Sequence, residues 1–259
     1  MHLGTCQFCG RTNVLINKED AWPWWLSRAV LDGSNKPQMR QTRKDGVVER
    51  AVRMKKRKKR EKRMYTVEHV AHIACRDNCN GGWMGTLEAK NKPFLESMAV
   101  SGAGCQLTPE QVALLVLWIT KTVMVFDVMD SRATFFSADE RNGMTYLKPP
   151  DNLHIWTFRA LSNRYFSSDP HHFFGQRQDG LFVSAFSFTA NAGRFGFHLL
   201  ACRGQDWYSR KLLRTKPGRL DSSLIPIWPT NGSGIKWPLH DDFDDPDLIA
   251  LADRFVVET

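Results

Sequence analysis

Two cysteine pairs, Cys6-x2-Cys9 and Cys75-x3-Cys79, flank a 65-residue stretch of this 259-residue chain. Four thiolates on two short loops make the donor set of a tetrahedral zinc, because each loop presents two sulfurs and two loops close the site. Cys6-Gln7-Phe8-Cys9-Gly10 reads as a knuckle turn in which Gly10 supplies permissive backbone after the second ligand. Disulfides are the competing use of such pairs. The start Met1-His2-Leu3-Gly4-Thr5 lacks the charged and apolar regions of a secretory signal, so metal is favoured over oxidation. Cys105 and Cys202 have no close-spaced partner and are expected as free thiols in a reducing, cytoplasmic setting.

The second chemical signal is charge. The net charge is +9, yet Arg53, Lys55, Lys56, Arg57, Lys58, Lys59, Arg60, Lys62 and Arg63 stand against Glu61 alone, a local +8 that leaves +1 for everything else. Such a run repels itself and cannot enter a core, which predicts a solvated loop, arm or exposed helix. A solubilising insertion is the plain reading. The sharper one is an arm that binds nucleic-acid phosphates, with salt-sensitive and sequence-blind affinity. Its place between the cysteine pairs favours the arm, since closing a metal site would tether both of its ends.

Between the first knuckle and the arm lies Glu19-Asp20-Ala21-Trp22-Pro23-Trp24-Trp25-Leu26, and Cys79 runs directly into Asn80-Gly81-Gly82-Trp83-Met84-Gly85-Thr86-Leu87-Glu88. Together with Cys6-Gln-Phe-Cys-Gly, these segments resemble the zinc-knuckle HNH endonuclease proteins of bacteria and their phages. Trp118-Ile-Thr-Lys121-Thr, Ile227-Trp228-Pro229 and Trp237-Pro238 look like the downstream half of the same proteins. The resemblance implies a ββα module framed by zinc on Cys6, Cys9, Cys75 and Cys79, and metal-dependent hydrolysis of DNA phosphodiesters. It places Glu19 and Asn80 as oxygen ligands of a second cation, and such ligands suit magnesium or manganese.

The chain departs from the family pattern at one place. Where the family has Glu-His-Val, with the histidine as general base, this chain reads Glu19-Asp20-Ala21. Asp20 is a weaker base than imidazole, and positioned proton transfer is commonly worth about 10²–10⁴-fold. A base from elsewhere is the alternative: His69 and His72 lie on the strand expected before Cys75, but a period of two turns them to opposite faces, so at most one can serve. The expected function is therefore a metal-dependent DNA endonuclease, and the alternative is a nuclease-dead DNA-binding or protein-assembly module.

These residues need a frame. Trp22, Trp24 and Trp25 could stack on bases, but walling the zinc-centred core is the expected use, as it is for Trp83 and Met84. Glu88 and Lys92 are four apart and read as an ordinary exposed helical pair. After a linker at Ser101–Gly104, Thr108-Pro109-Glu110-Gln111 caps an apolar helix through Met129. That helix carries Lys121 and Asp127 and is expected to be buried rather than to cross a membrane. Lys121 is expected as an interior or snorkelling cation rather than a cleft residue.

Beyond Pro149-Pro150 the pattern turns to strands: Leu153–Phe158, a hairpin of Leu181–Thr189 with Arg194–Cys202, and an edge strand at Leu224–Trp228 because of its proline. His171-His172 is expected in a loop, and a short capped helix from Asp245 to Phe255 ends the chain. The predicted class is α+β. Residues 1–100 form an HNH-like zinc module with a basic insertion at about 36–64, and residues 105–259 form a helix-plus-antiparallel-sheet domain of unassigned role, open to a protein partner.

Overall fold

A computed structural model describes residues 2–31, 39–41, 70–129, 134–161, 166–176, 182–203, 221–229 and 231–253. His69 and the whole basic run from Arg53 to Arg63 lie outside the described residues. The fold is α+β. A small antiparallel sheet has the order β1–β2–β4, formed by β1 (His2–Gly4), β2 (Val14–Asp20) and β4 (Val70–Cys75). Between β2 and β4 come α1 (Trp24–Leu31) and β3 (Met39–Gln41). After β4 the chain makes wide helical turns over Arg76–Met84, breaks helical geometry at Gly82, and continues as α2 (Gly85–Val100).

A strand β5 (Cys105–Leu107) precedes α3 (Pro109–Met129). The expected cap forms: Gln111 N–H donates to the Thr108 hydroxyl, and Thr108 N–H donates to the Gln111 side chain. α3 is apolar nearly all round because it is buried nearly all round, from Val112 through Asp127. It is the central helix of the core. Asp127 earns its interior place by accepting from the backbone N–H groups of Phe135 and Phe136, both at 2.9 Å. A short α4 (Ala138–Gly143) then begins with a Ser137/Glu140 capping box.

The large sheet has the order β10–β6–β9–β8–β7–β3, built from β6 (Leu153–Arg159), β7 (Phe166–Gln176), β8 (Phe182–Ala192), β9 (Phe195–Arg203) and β10 (Ile225–Trp228). All its pairings are antiparallel except β3 with β7. The β8–β9 hairpin is longer than expected and turns at Gly193, whose φ of +58° and 2.2 Å approach of a would-be Cβ to the Ala99 carbonyl exclude a side chain. β10 is the expected edge strand, with an irregular register at Pro226. His171 and His172 are not in a loop: they pair with Ser187 and Phe186 inside the β7–β8 ladder. A last strand β11 (Ile235–Trp237) pairs with β5, and α5 (Asp245–Asp253) packs Leu248 and Leu251 onto the sheet face formed by Phe158 and Leu200.

One hydrophobic cluster runs from Cys6 and Phe8 through α2 and α3 to the large sheet and Trp237. Residues 39–41, within the expected basic insertion, are a strand of that sheet. The three indoles near β2 divide. Trp22 is fully buried against Trp118, Phe126 and Phe197 of α3 and β9, so it joins the small sheet to the large one instead of walling the cysteines. Trp24 is 45% exposed under the Arg28 guanidinium, and Trp25 is half-buried with the Lys92 ammonium 5.8 Å from its ring centre. Trp83, as expected, packs by the knuckle, edge-on to Phe8.

Candidate functional site

The knuckle is held by backbone bonds: Gly10 N–H donates to the Cys6 carbonyl, Cys6 N–H to the Arg11 carbonyl, and Gln7 N–H to Ile73 of β4. Gly10 takes the left-handed conformation, with φ of +70°, that the sequence assigned to it. Cys75 ends β4, and Cys79 sits on the first helical turn after it. The four sulfurs of Cys6, Cys9, Cys75 and Cys79 all lie within 4.8 Å of one another, with Cys6–Cys79 and Cys9–Cys75 at 3.6 Å.

That spacing fits a metal. Sulfurs at about 2.3 Å from a tetrahedral zinc stand about 3.8 Å apart. The sulfurs are also too far apart for disulfides, and all four are free thiols. The protons reflect the crowding. The hydrogen bond with Cys79, helped by nearby backbone donors, brings the Cys6 thiol down to about 4 against the opposing effect of burial. The same bond and burial push Cys79 up, and burial pushes Cys75 up. Four sulfurs this close favour giving up protons to a shared cation, and a backbone donor, Cys75 N–H to Cys6 Sγ at 3.3 Å, is already aimed at one of them.

Asn80 follows the last cysteine, and the glycines after it shape its turn: a Cβ on Gly81 would stand 2.8 Å from the Arg76 carbonyl oxygen and one on Gly82 3.1 Å from that of Asp77. This turn brings Asn80 back to β2. Its Nδ2 donates to the Lys18 carbonyl at 2.8 Å and to Glu19 Oε2 at 2.7 Å. Glu19 and Asn80, expected as ligands of one cation, are therefore in direct contact. Glu19 is only 4% exposed.

Two residues complete this cluster, and neither was expected in it. Lys121, halfway along α3 and fully buried, donates from Nζ to Glu19 Oε1 and to Glu88 Oε1, both at 2.8 Å. The interior pairing expected for Lys121 is found, but at the candidate site. Glu88 does not pair with Lys92 as expected: its carboxylate turns inward to Lys121, and Lys92 lies over Trp25. A buried ammonium outcompetes an exposed one for a carboxylate because water screens the exposed pair. Asn91 fixes the two helices beside the cluster, donating to the carbonyls of Leu87 in α2 and Leu114 in α3.

Burial pushes the Glu19 carboxyl up, and Lys121 opposes that rise. Burial by itself would lower Lys121, but the carboxylates, Glu19 ahead of Glu88, override it and hold the ammonium above the usual lysine value. Both oxygens of Glu19 are thus engaged, one by an ammonium and one by an amide. The Asn80 amide presents nitrogen, not oxygen, to Glu19. These residues do not fit a magnesium or manganese ion as they stand.

Of the candidate bases, the two among the described residues, Asp20 and His72, lie elsewhere on the hairpin. Glu19 pairs with Ala71, Lys18 with His72 and Asp20 with Val70. Successive strand residues face opposite ways, so Asp20 and His72 occupy the sheet face opposite Glu19. His72 is exposed, its ring 5.7 Å from that of His2. An open cleft beside the sulfurs, lined by Cys9, Arg11, Asp77, Asn78, Trp83 and Tyr146 among others, includes none of Glu19, Asn80 and Lys121. A sequence signal for Lys121 existed, a lone cation in an apolar helix, but nothing local pointed to its partners. Comparison of the chain with family models, with curated proteins and with solved structures gives no match.

Proposed function

We propose that this chain is a DNA-binding protein built on a zinc-stapled, HNH-like module that holds nucleic acid without hydrolysing it. The observation that carries this reading is the closure of Glu19, whose two carboxylate oxygens are taken by Lys121 and Asn80 while its side chain is withdrawn from solvent. Phosphodiester hydrolysis through a metal needs a ligand set open to water and phosphate. It also needs a positioned base, and Asp20 is directed to the other face of the sheet. Zinc on Cys6, Cys9, Cys75 and Cys79 supplies the frame, since two knuckles hold β1, β2, β4 and the following turn together.

DNA is favoured by where the basic run is attached. Arg63 is seven residues before Val70, a tether of at most about 25 Å, and Val70 pairs with Asp20 at the end of β2. Phosphates gathered by Lys62 and Arg63 would be within reach of the exposed face that carries Lys18, Asp20 and His72. A second reading, metal-dependent DNA cleavage, is favoured by the direct contact of Glu19 with Asn80. One experiment separates the two. Fluorescence anisotropy with unrelated duplexes at several salt concentrations should show binding whose salt slope flattens when Lys55, Lys56, Lys58 and Lys59 are changed to Gln. Plasmid incubated with the same protein and magnesium or manganese should stay intact. Unchanged affinity and slope would reject the arm, and nicking that disappears in Asn80→Ala and increases in Asp20→His would establish the nuclease.

A further inference from the structure

We infer that Glu19, Glu88 and Asn80 form a cation site whose resident cation is the chain's own Lys121 ammonium, so that a divalent ion must displace Lys121 rather than bind beside it. The site rests on four segments: β2 gives Glu19, the glycine turn gives Asn80, α2 gives Glu88 and α3 gives Lys121. Lys121 Nζ stands 2.8 Å from one oxygen of each carboxylate, the distance of a charge-assisted hydrogen bond. A lysine at 0% exposure between two acids is a placed charge, because an ammonium buried without partners would be far too costly.

Three features make the ammonium exclude a divalent ion. The first is occupancy, since Nζ already stands 2.8 Å from both Glu19 Oε1 and Glu88 Oε1, the oxygens that would have to hold the ion. The second is the amide: Asn80 Nδ2 has two oxygen acceptors, Lys18 O and Glu19 Oε2, which fix nitrogen toward the carboxylate. Turning its oxygen inward as a ligand would forfeit both bonds. The third is water. Magnesium keeps several waters in its octahedron, and Glu19 at 4% exposure beside a fully buried Lys121 leaves the site facing protein. Glu88, at 21% side-chain exposure, and the half-buried Asn80 are the members through which a displacing ion could enter.

This inference concerns the same residues as the proposed function but does not need DNA, and its test contains none. The probe is manganese alone, titrated into the zinc-loaded full chain and followed by the paramagnetic resonance signal of the free ion. Wild type and Glu19→Gln should retain manganese equally weakly. Lys121→Met, close in shape but uncharged, should bind one manganese at least tenfold more tightly than wild type, and Lys121→Met/Glu19→Gln should lose the gain. A zinc-loaded Lys121→Met chain that is unfolded without manganese and folds on adding it meets the same expectation. The inference is overturned by a wild type that binds one manganese lost in Glu19→Gln. It is equally overturned by a Lys121→Met chain that gains no affinity or remains unfolded with manganese present.

Discussion

The four-cysteine site and the Glu19–Lys121 cluster share one hairpin, Ile16 pairing with Cys75 at one and Glu19 with Ala71 at the other, yet they meet their need for positive charge differently. The cysteines gather four soft acceptors from three short segments, the Cys6 thiol drawn down as Cys79 is pushed up. The carboxylates of Glu19 and Glu88 receive an ammonium from α3. An external ion completes a site only where the fold leaves acceptors without an internal cation. The first centre is positioned to bind a metal ion, and the second is an ion cluster standing where the family resemblance expects a catalytic metal.

The largest effect should come from the cysteines. Structural zinc contributes about 10–16 kcal/mol in small zinc-dependent units, so chelation or Cys75→Ser should cost the zinc and the fold of the β1–β2–β4 module. Elemental analysis beside circular dichroism checks this, and a well-folded, zinc-free wild type would remove the contrast between the centres. Next comes Lys121→Met. Breaking a buried ion pair on one side costs about 3–5 kcal/mol because the remaining charge is stranded. Urea unfolding should show such a loss, partly recovered in Lys121→Met/Glu19→Gln, and a loss below about 1 kcal/mol would mark the pair as energetically idle. Asn80→Ala should cost less, about 1.5–3 kcal/mol, for donors lost to a carboxylate and a carbonyl.

The smallest effect is in pH dependence, and its sign follows from Glu19. Burial already pushes this carboxyl up against the pull of Lys121, and Lys121→Met removes that pull. A carboxyl whose folded pKa exceeds its unfolded value favours the fold when protonated, and this advantage is lost as pH rises through the folded value. The deficit of Lys121→Met should therefore narrow as pH falls from neutrality toward about 4.3, by at most about 1.4 kcal/mol per unit. In wild type the sign for Lys121 is the usual one for a raised lysine: its contribution is whole below about 10.4 and declines only at higher pH. Paired urea titrations at three pH values check the narrowing, and a deficit that widens with acid would contradict the assignment of Glu19 as the stranded charge.

Legibility in the sequence followed distance along the chain. Cys6-x2-Cys9 with Gly10, the Thr108/Gln111 cap and the proline-bearing edge strand β10 are each written within a few residues, and each forms as read. The meeting of Glu19 with Asn80 was legible only through the family resemblance, 61 residues apart. Lys121 is 102 residues from Glu19, and no local period connects them. Glu88 misled because its i+4 neighbour Lys92 satisfies a helix-surface rule that holds only when both residues face water. His171 and His172 misled similarly: polar residues suggested a loop, but an eleven-residue ladder with β8 absorbs them. Trp22 reaches the large sheet instead of the knuckle because α3 and β9 offer it three aromatic partners.

The most direct test of the central claim is a crystal structure of the zinc-loaded chain grown with manganese, with anomalous maps that tell the two metals apart. Zinc should peak among Cys6, Cys9, Cys75 and Cys79, and Lys121 Nζ should lie between Glu19 and Glu88 with no manganese at either carboxylate. A manganese peak shared by Glu19 and Asn80, with Lys121 turned away, would contradict that claim.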